Sequence, residues 1–368
     1  MADTTVSHSA SIPHNVDEID VGWLNTVLGK EFGTIESMAL EHFAEGVGIL
    51  GELARITLTY AAGESGPATL IAKCPSASEE NHFLAIAMGF YIREVNFYRE
   101  VAGDLDVRVP RAYHADTSDT GVPFVLLIEE IAGATTPDQL SGISVAEATK
   151  IISAIVPLHV QFWGKAAELE ALTWLPPMNN DLYKGGQPLG VALFPQFAEH
   201  YGNHISADDM ARIGVSCERY AELLDYTTTV GAPTMTHTDC RAENYLFGGR
   251  EGDDAVTVID FQLSTRHIGM WDVTNLIAGS MTTELRRAHE HEIIQGYVDQ
   301  ITAHGIDYSM EQAMMEYRVC LLQQCPAQVI TSDLAGGNDR GADLLEQLHL
   351  RPLYAAIDNN ALDVLDNF

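Results

Sequence analysis

The stretch Thr236–Leu263 reads THTDCRAENYLFGGREGDDAVTVIDFQL, and the rest of the chain can be organised around it. Its first half places His237, Asp239 and Asn244 in the pattern H-x-D-x-x-x-x-N. Its second half is a mainly apolar run that ends in Asp260. The glycine pair and the acidic residues between the two halves are typical of a turn. The stretch therefore predicts a loop, a tight hairpin and a buried strand that ends in an acid.

The polar residues of this stretch suit one kind of chemistry. Phosphoryl transfer from ATP needs a carboxylate near the attacking hydroxyl and oxygen ligands that hold Mg²⁺ against the phosphates. Asp239, Asn244 and Asp260 would supply these groups in that order. A hydrophilic turn that contains His, Asp and Asn by chance is the alternative for the first half. The strand that ends in an acid counts against this alternative.

The same stretch resembles the catalytic-loop and metal-loop pair of the protein-kinase-like fold. It is more similar to the aminoglycoside phosphotransferase and choline kinase superfamily than to protein kinases. Thr238 stands where most protein kinases have Arg, and Gln262 stands where they have Gly. The string Asp-Phe-Gln at 260–262 looks most like the ecdysteroid kinase-like and related bacterial small-molecule phosphotransferases. This resemblance implies that Asp239 is the catalytic base, with His237 and Asp272 as structural support for its loop.

Upstream of this stretch, the pattern predicts the smaller lobe of such a fold. After a helix over Val16–Leu28, which Gly29 can end, five segments read as the strands of an antiparallel sheet: 34–43, 53–60, 68–74, 109–113 and 124–131. One main helical region lies between the third and fourth strands. The fold class is therefore α+β and bilobal. We expect a nucleotide-binding lobe at 1–131, with 1–13 disordered, and a mainly helical lobe at 132–368.

A glycine string, Gly46, Gly48 and Gly51, lies between the first two of these strands in the pattern G-x-G-x-x-G. A dinucleotide-binding version would open a helix after its last glycine. Here a strand follows, so the string forms a hairpin loop, which suits the flap that covers the phosphates of ATP. A hairpin turn that binds no ligand is the alternative.

A strand lysine and a helix glutamate complete the nucleotide site that the resemblance implies. Lys73 lies inside an apolar strand, where burial without a partner is costly. Glu94 is the glutamate that fits best as its partner, and Glu100 is the alternative. Backbone atoms of Glu129 and Ile131 are the candidates for holding the adenine.

The resemblance implies an acceptor site built largely from the helical lobe and its insertions, and the candidate insertion is Leu172–Ala198. This segment carries many apolar and aromatic residues, and its only charged residues are Asp181 and Lys184. A polyamine sugar would need carboxylates to pair with its ammonium groups. We therefore expect a neutral or partly apolar alcohol, with these substrate candidates: Trp174, Tyr183 and Phe194. Simple core packing of the segment is the alternative.

Composition limits the remaining possibilities. Twenty basic and 52 acidic residues give a net charge of −32, which argues against nucleic acid and anionic membranes as partners. The first 20 residues lack the basic and apolar regions of a signal peptide, so we expect a cytoplasmic protein. The five cysteines have no metal-ligand spacing. Cys240 could be a modifiable thiol, although a small packed loop residue is the better interpretation. The acidic C-terminal tail looks peripheral.

These observations predict a phosphotransferase that uses ATP and Mg²⁺ to phosphorylate a hydroxyl group of a small molecule. An aminoglycoside or other antibiotic phosphotransferase is one alternative. A kinase-like module that binds nucleotide without turnover is another, and protein kinase activity is a third. The choice between ATP and GTP, the acceptor and the oligomeric state stay open.

Overall fold

A computed structural model of the chain describes residues 11–43, 51–76, 78–249, 254–332 and 339–368. The chain divides into two compact units, Met1–Asp104 with Val109–Ala132, and Leu105–Arg108 with Gly133–Phe368. Two predictions concern residues outside the described ranges: that of disorder over 1–13, of which 1–10 are not described, and that of a phosphate flap, for which Gly46 and Gly48 are not described.

The first unit contains the predicted five-stranded antiparallel sheet, in the spatial order β1-β2-β3-β5-β4. Its strands are β1 Ile35–His42, β2 Gly51–Tyr60, β3 Thr69–Pro75, β4 Ala112–Thr117 and β5 Phe124–Glu129. β1 and β2 pair with each other in antiparallel register. The first four residues of β5 are buried, as a continuous apolar run requires. The α+β fold class and the antiparallel sheet are thus confirmed.

The fourth strand lies later in the chain than the sequence predicts. Pro110 falls in the predicted strand and has no N–H to donate to a ladder. The carbonyl of Arg108 instead accepts a hydrogen bond from Val258 N at 2.9 Å, within the second unit. The strand therefore begins only at Ala112, where pairing with β5 starts.

The first helix is also displaced from its predicted bounds. A short 3₁₀ turn covers Val16–Glu18, and α1 spans Val21–Phe32. The Asp20 side chain caps α1 by accepting from Trp23 N at 2.7 Å. α1 continues through Gly29 and ends at Gly33, whose φ of 87° suits a residue without a Cβ.

The main helical region of the first unit consists of α2 Glu79–Met88 and α3 Phe90–Asn96, followed by a π-helical turn Phe97–Val101. α3 has a buried apolar side and also buries Glu94. This burial places a carboxylate inside the unit, next to the sheet that carries Lys73.

The second unit is mainly helical. The described residues of this unit form the helices α4 Val145–Phe162, α5 Ala166–Ala171, α6 Asp181–Lys184, α7 Gln187–Tyr201, α8 Ala207–Glu218, α9 Tyr220–Thr227, α10 Met270–Ser280, α11 Thr283–Ala303, α12 Met310–Thr331 and α13 Asp339–Asp358. Ten of the eleven residues of α10 are buried, which makes it the central helix of this unit. Ser144 and Glu147 form the predicted capping box at the start of α4.

Two short antiparallel ribbons carry the candidate site. β6 Pro233–Thr236 pairs with β9 Thr265–Ile268, and β7 Tyr245–Phe247 pairs with β8 Val256–Val258. The loop that joins β6 to β7 contains the H-x-D-x-x-x-x-N pattern.

The C-terminal tail is not peripheral, in contrast to the expectation from its acidity. A 3₁₀ segment, Ala361–Asn367, buries four of its residues. Arg219 donates to the carbonyl oxygen of Leu365 at 2.9 Å, and its guanidinium lies 4.5 Å from the ring centroid of Phe368. The apolar residues between the acids thus pack on the helices, while the acidic side chains face basic residues or solvent.

Within the described ranges, no helix combines the length and the apolar character needed to cross a membrane.

Candidate active site

In the first unit, Lys73 and Glu94 form a buried ion pair. Lys73 lies on β3 and Glu94 on α3, with Nζ 2.7 Å from Oε2. Their side chains are only 11% and 3% exposed, so the charges are shielded from water. Glu100 lies on the π-helical turn and is exposed. The geometry thus pairs Lys73 with Glu94.

Gly51, the last glycine of the string, lies against the same lysine. A Cβ atom at this position would come within 3.0 Å of Cε of Lys73. A larger residue at position 51 would therefore push the lysine side chain away from its present position.

The residues expected to hold adenine lie at the end of β5. The backbone N–H of Glu129 donates to the carbonyl oxygen of Arg111 at 2.8 Å, so this donor is already used. Ile131 is buried and follows the strand.

In the second unit, Asp272 anchors the loop that follows β6. Its Oδ2 accepts from His237 N at 2.7 Å, and its Oδ1 accepts from Thr238 N at 2.8 Å. His159 Nε2 lies 3.0 Å from the same Oδ2, and His159 Nδ1 lies 2.9 Å from the hydroxyl of Tyr297. The carboxylate is 1% exposed and fully engaged in hydrogen bonds, which suits a fixed support.

His237 ties the loop to the strand that precedes Asp260. Its Nε2 lies 2.8 Å from the carbonyl oxygen of Ile259, and its ring packs 4.8 Å from that of Phe261. The imidazole is completely buried. His237 therefore supports the loop from inside the unit.

Asp239, Asn244 and Asp260 are brought together by the fold of this loop. Asn244 Nδ2 donates to Asp239 Oδ2 at 2.9 Å and to the Asp239 carbonyl oxygen at 2.8 Å. The N–H of Ile259 donates to the carbonyl oxygen of Asn244 at 3.1 Å, which brings the neighbouring Asp260 next to Asn244. Asp260 has a φ of 67°, a left-handed conformation that residues other than glycine rarely adopt. Such conformations are concentrated at functional sites.

The donor set of this cluster fits a magnesium ion. Asn244 uses its amide nitrogen on Asp239, so its amide oxygen is the atom left for a cation. Asp260 adds a carboxylate. Mg²⁺ prefers such oxygen ligands and commonly takes one or two from the protein and the others from phosphates and water. In the described part of the chain, no group of three or more His, Cys, Asp and Glu residues is placed to hold a metal ion.

Arg241 also belongs to the site, although the sequence reasoning did not single it out. Its Nε lies 3.5 Å from Asp239 Oδ2, and its Nη1 lies 3.6 Å from a carboxylate oxygen of Glu243. The negative charges of Asp239, Glu243 and Asp260 raise the pKa of Arg241, while burial acts in the opposite direction. Its position two residues after Asp239 was the available signal.

Gln262 stands next to Asp260 and touches it. Its Nε2 donates to Asp260 Oδ2 at 3.2 Å, and the side chain is 8% exposed. The glutamine thus orients one carboxylate oxygen, which a glycine at this position could not do.

Thr238 has an unusual backbone and many partners. Its φ is 74°. Its carbonyl oxygen accepts from Trp271 Nε1 at 3.1 Å and from Asn275 Nδ2 at 2.6 Å. Its hydroxyl lies 3.0 Å from that of Thr236 and 2.8 Å from that of Thr265.

Cys240 is a packed loop residue. It is 1% exposed, and its Sγ lies 2.6 Å from the hydroxyl of Tyr245. Burial raises the pKa of this thiol well above its ordinary value. A buried, protonated thiol is a poor nucleophile, which argues against a modifiable cysteine here.

The candidate acceptor segment is connected to the loop through β9. The N–H of Met178 donates to Arg266 O at 3.0 Å, and Arg266 N donates to Pro176 O at 2.8 Å. Trp174 and Tyr183 are partly buried. Phe194 packs on α8, since a Cβ atom at Gly214 would meet its ring at 2.7 Å.

Comparisons with known proteins support the resemblance. Residues 194–307, less than a third of the chain, match the model of the ecdysteroid kinase-like family. No curated protein sequence matches the chain. A candidate aminoglycoside phosphotransferase from Ralstonia eutropha JMP134 is similar in structure, with a TM-score of 0.52, 16% identity, and coverage of 92% of this chain and 96% of that one.

An ethanolamine kinase from Plasmodium vivax is also similar in structure. Its TM-score is 0.51 at 12% identity, with 92% of this chain and 88% of that chain covered. At these identities the likeness concerns the fold. Together the matches confirm the resemblance to the aminoglycoside phosphotransferase and choline kinase superfamily.

Proposed function

We propose that this chain, which has the fold of the kinase-like small-molecule phosphotransferases, transfers the γ-phosphoryl group of ATP to a hydroxyl group of a small molecule. The observation that carries the proposal is the hydrogen-bonded pair of Asp239 and Asn244, with Asp260 held beside it by the backbone bond from Ile259 N to the Asn244 carbonyl oxygen. The buried pair of Lys73 and Glu94 in the first unit adds the cation that phosphate binding needs.

Asp239 would act as the general base. Its Oδ2 is occupied by Asn244 Nδ2, so Oδ1 is the oxygen available to an acceptor hydroxyl. The hydroxyl proton moves to this carboxylate while the hydroxyl oxygen bonds to the γ-phosphorus. The bond from that phosphorus to the bridging oxygen of ADP breaks in the same displacement.

Asn244 and Asp260 would hold Mg²⁺ through oxygen atoms. When bound, the ion neutralises charge on the phosphates and orients them. Asp260 brings a negative charge and Asn244 only a dipole, so Asp260 contributes more to metal-dependent nucleotide binding.

Lys73 would bind the phosphates, with Glu94 holding its side chain in place. Adenine would be recognised by backbone atoms at the end of β5. Because Glu129 N–H is bonded within the sheet, the carbonyl oxygen of Glu129 and the backbone of Ile131 are the remaining candidates.

The acceptor would be a neutral or partly apolar alcohol. Lys184 is paired with Asp225 at 2.7 Å, so the single positive charge of the candidate segment is already compensated. Leu182, Leu189 and Val191 are between 44% and 49% exposed, and they give the segment an apolar surface. Trp174, Tyr183 and Phe194 remain the candidates for acceptor contacts.

The experiment is an acceptor panel with MgATP and, in parallel, MgGTP: choline, homoserine, sugars, sterols, macrolides and aminoglycosides. The wild type should phosphorylate an alcohol of low charge. Asp239→Asn should lower kcat at least about 10²-fold while ATP affinity stays nearly unchanged, because the base is lost and the size is kept.

Glu243→Gln is the matched control, since it removes a carboxylate from the same loop without touching the acceptor base. Equal losses in both variants, or wild-type turnover by Asp239→Asn, would contradict the assignment of Asp239. Selective turnover of aminoglycosides would favour the antibiotic phosphotransferase. Nucleotide binding without any turnover would favour a non-catalytic module.

A further inference from the structure

Three threonine hydroxyls meet beside the proposed base. Thr236 ends β6, Thr265 begins β9, and Thr238 lies in the loop between His237 and Asp239. The Oγ1–Oγ1 distances are 3.0 Å for Thr236–Thr238, 3.1 Å for Thr236–Thr265 and 2.8 Å for Thr238–Thr265. We call this cluster the threonine triangle.

Each of the three hydroxyl protons in the triangle has an oxygen atom to which it can be donated. Thr236 can donate to the backbone carbonyl oxygen of Thr265 at 3.1 Å, which leaves its own oxygen free to accept. Thr238 and Thr265 can then donate within the triangle. Thr236 and Thr265 are completely buried, so water does not compete for these bonds.

The triangle holds a residue whose backbone is unfavourable by itself. A β-branched residue with a φ of 74° is a genuine outlier, because its side chain crowds the backbone. Such a conformation persists only where the surroundings over-determine it. Asp272, Trp271 and Asn275 fix the backbone of Thr238, and the triangle fixes its side chain.

We infer that the threonine triangle is a positioning device that holds Thr238 in its left-handed conformation and thereby aims the Asp239 carboxylate. The inference rests on the proposed function, because it assigns a purpose to the direction of Asp239. It also explains why position 238 carries threonine and not the arginine of most protein kinases. A hydroxyl that reaches both β6 and β9 is needed there, and arginine has none.

The test is a double-mutant cycle between positions 238 and 265. Thr265→Val removes one hydroxyl at nearly constant volume, and Thr265→Ser restores it. Thr238→Gly removes both the hydroxyl and the backbone penalty, so in this background the triangle has nothing left to hold. Because the acceptor is unidentified, the readout is the hydrolysis of MgATP by the wild type and the variants.

Thr265→Val should lower kcat roughly tenfold, the effect of one hydrogen bond of ordinary strength, with the KM for ATP within about twofold. Thr265→Ser should recover most of the rate. In the Thr238→Gly background, Thr265→Val should change kcat by less than about twofold. Thr257→Val is the control, since Thr257 is also completely buried and its hydroxyl has no hydrogen-bond partner within the described residues.

Equal losses from Thr265→Val in both backgrounds would overturn the inference, as would equal rates for the Val and Ser variants. If the wild type neither hydrolyses ATP nor phosphorylates any acceptor, the proposed function fails on its own. The four proteins of the cycle are then compared by denaturant unfolding: the wild type, Thr265→Val, Thr238→Gly and the double variant. A smaller effect of Thr265→Val on the unfolding equilibrium in the Thr238→Gly background supports the triangle, and an identical effect overturns it.

Discussion

Glu94 and Glu100 illustrate what can be decided at the scale of single residues. Both are acids in the same helical region, where Glu94 precedes Phe97 and Tyr98 and Glu100 follows them. Six residues correspond to about 240° around an α-helix, so the two cannot face Lys73 from one regular helix. Sequence spacing alone does not tell which face is buried. Only packing against the sheet selects Glu94.

This selection leads to a prediction for the ion pair. Glu94→Gln removes the charge that compensates a buried lysine, which is costly where water is excluded. We expect the KM for ATP to rise about tenfold, since Lys73 loses the partner that fixes it. Steady-state kinetics with varied ATP provide the measurement. Glu100→Gln is the control and should behave like the wild type. Equal effects of the two variants would refute the pairing.

Glu316 is a second buried carboxylate, and burial changes its pKa. It lies on α12, 1% exposed, and accepts hydrogen bonds from Gln312 and from the Tyr308 hydroxyl, each at 2.8 Å. Burial raises its pKa to about 7, although both hydrogen bonds lower it. The folded state thus binds this proton more tightly than the unfolded chain does.

The stability contribution of the Glu316 proton is complete below the unfolded pKa of 4.5 and is lost as the pH rises through about 7. The free energy of unfolding of the wild type, relative to Glu316→Gln, should fall by an amount on the order of 3 kcal/mol across this window. Denaturant unfolding at pH 4.5 to 8 measures the difference. A difference that does not change with pH, or that grows with rising pH, would argue against a raised pKa.

At the scale of elements, the sequence predicts whether a segment is a helix or a strand better than it predicts where the element begins and ends. The order of the first two strands and the lysine strand follows from alternation and turn residues, and the structure contains these three strands in that order. The start of β4 and the two ends of α1 were missed. The first depends on Arg108 pairing with β8, which is distant in sequence. The start of α1 depends on the Asp20 cap, and its end depends on Gly33, whose positive φ closes the helix while Gly29 stays helical.

The cap of α4 is an element-scale feature that the sequence does specify. Ser144 Oγ accepts from Glu147 N at 3.2 Å, and Glu147 Oε2 accepts from Ser144 N at 2.8 Å. Ser144→Ala should lower the free energy of unfolding by about 1 kcal/mol, since one N-terminal donor loses its partner. Ser153→Ala, in the middle of the same helix, is the control and should be neutral or slightly stabilising. Comparable losses from both would show that the cap contributes little.

The candidate site also combines residues that can be identified from nearby sequence with contacts between residues that are distant in sequence. Asp239, Asn244 and Asp260 were proposed from one stretch because their roles follow from residue type and order. The threonine triangle was not found, since it needs β6 and β9 to pair across 29 positions. Arg241 was overlooked because a basic loop residue is usually solvated. The triangle thus depends on tertiary pairing, which periodicity does not report, whereas Arg241 contacts residues of its own loop.

At the scale of the whole molecule, charge is the dominant property. A net charge of −32 means that most acidic side chains repel one another across the surface. Salt screens this repulsion over a Debye length of about 8–10 Å near physiological ionic strength. The Tm should therefore rise between low and moderate NaCl, as measured by thermal unfolding. A flat or falling Tm would indicate that the acids are already paired or well dispersed.

The five cysteines leave the surface of the folded protein without a reactive thiol. All five are buried, and burial raises the pKa of each thiol, for example that of Cys217 to about 12. Maleimides and similar reagents attack exposed thiolates, so the native chain should resist labelling until it unfolds. A single cysteine introduced on an exposed helix would then be the only position to take up a fluorophore. Pairs of such positions could carry fluorophores in the presence and absence of nucleotide without replacement of any native cysteine.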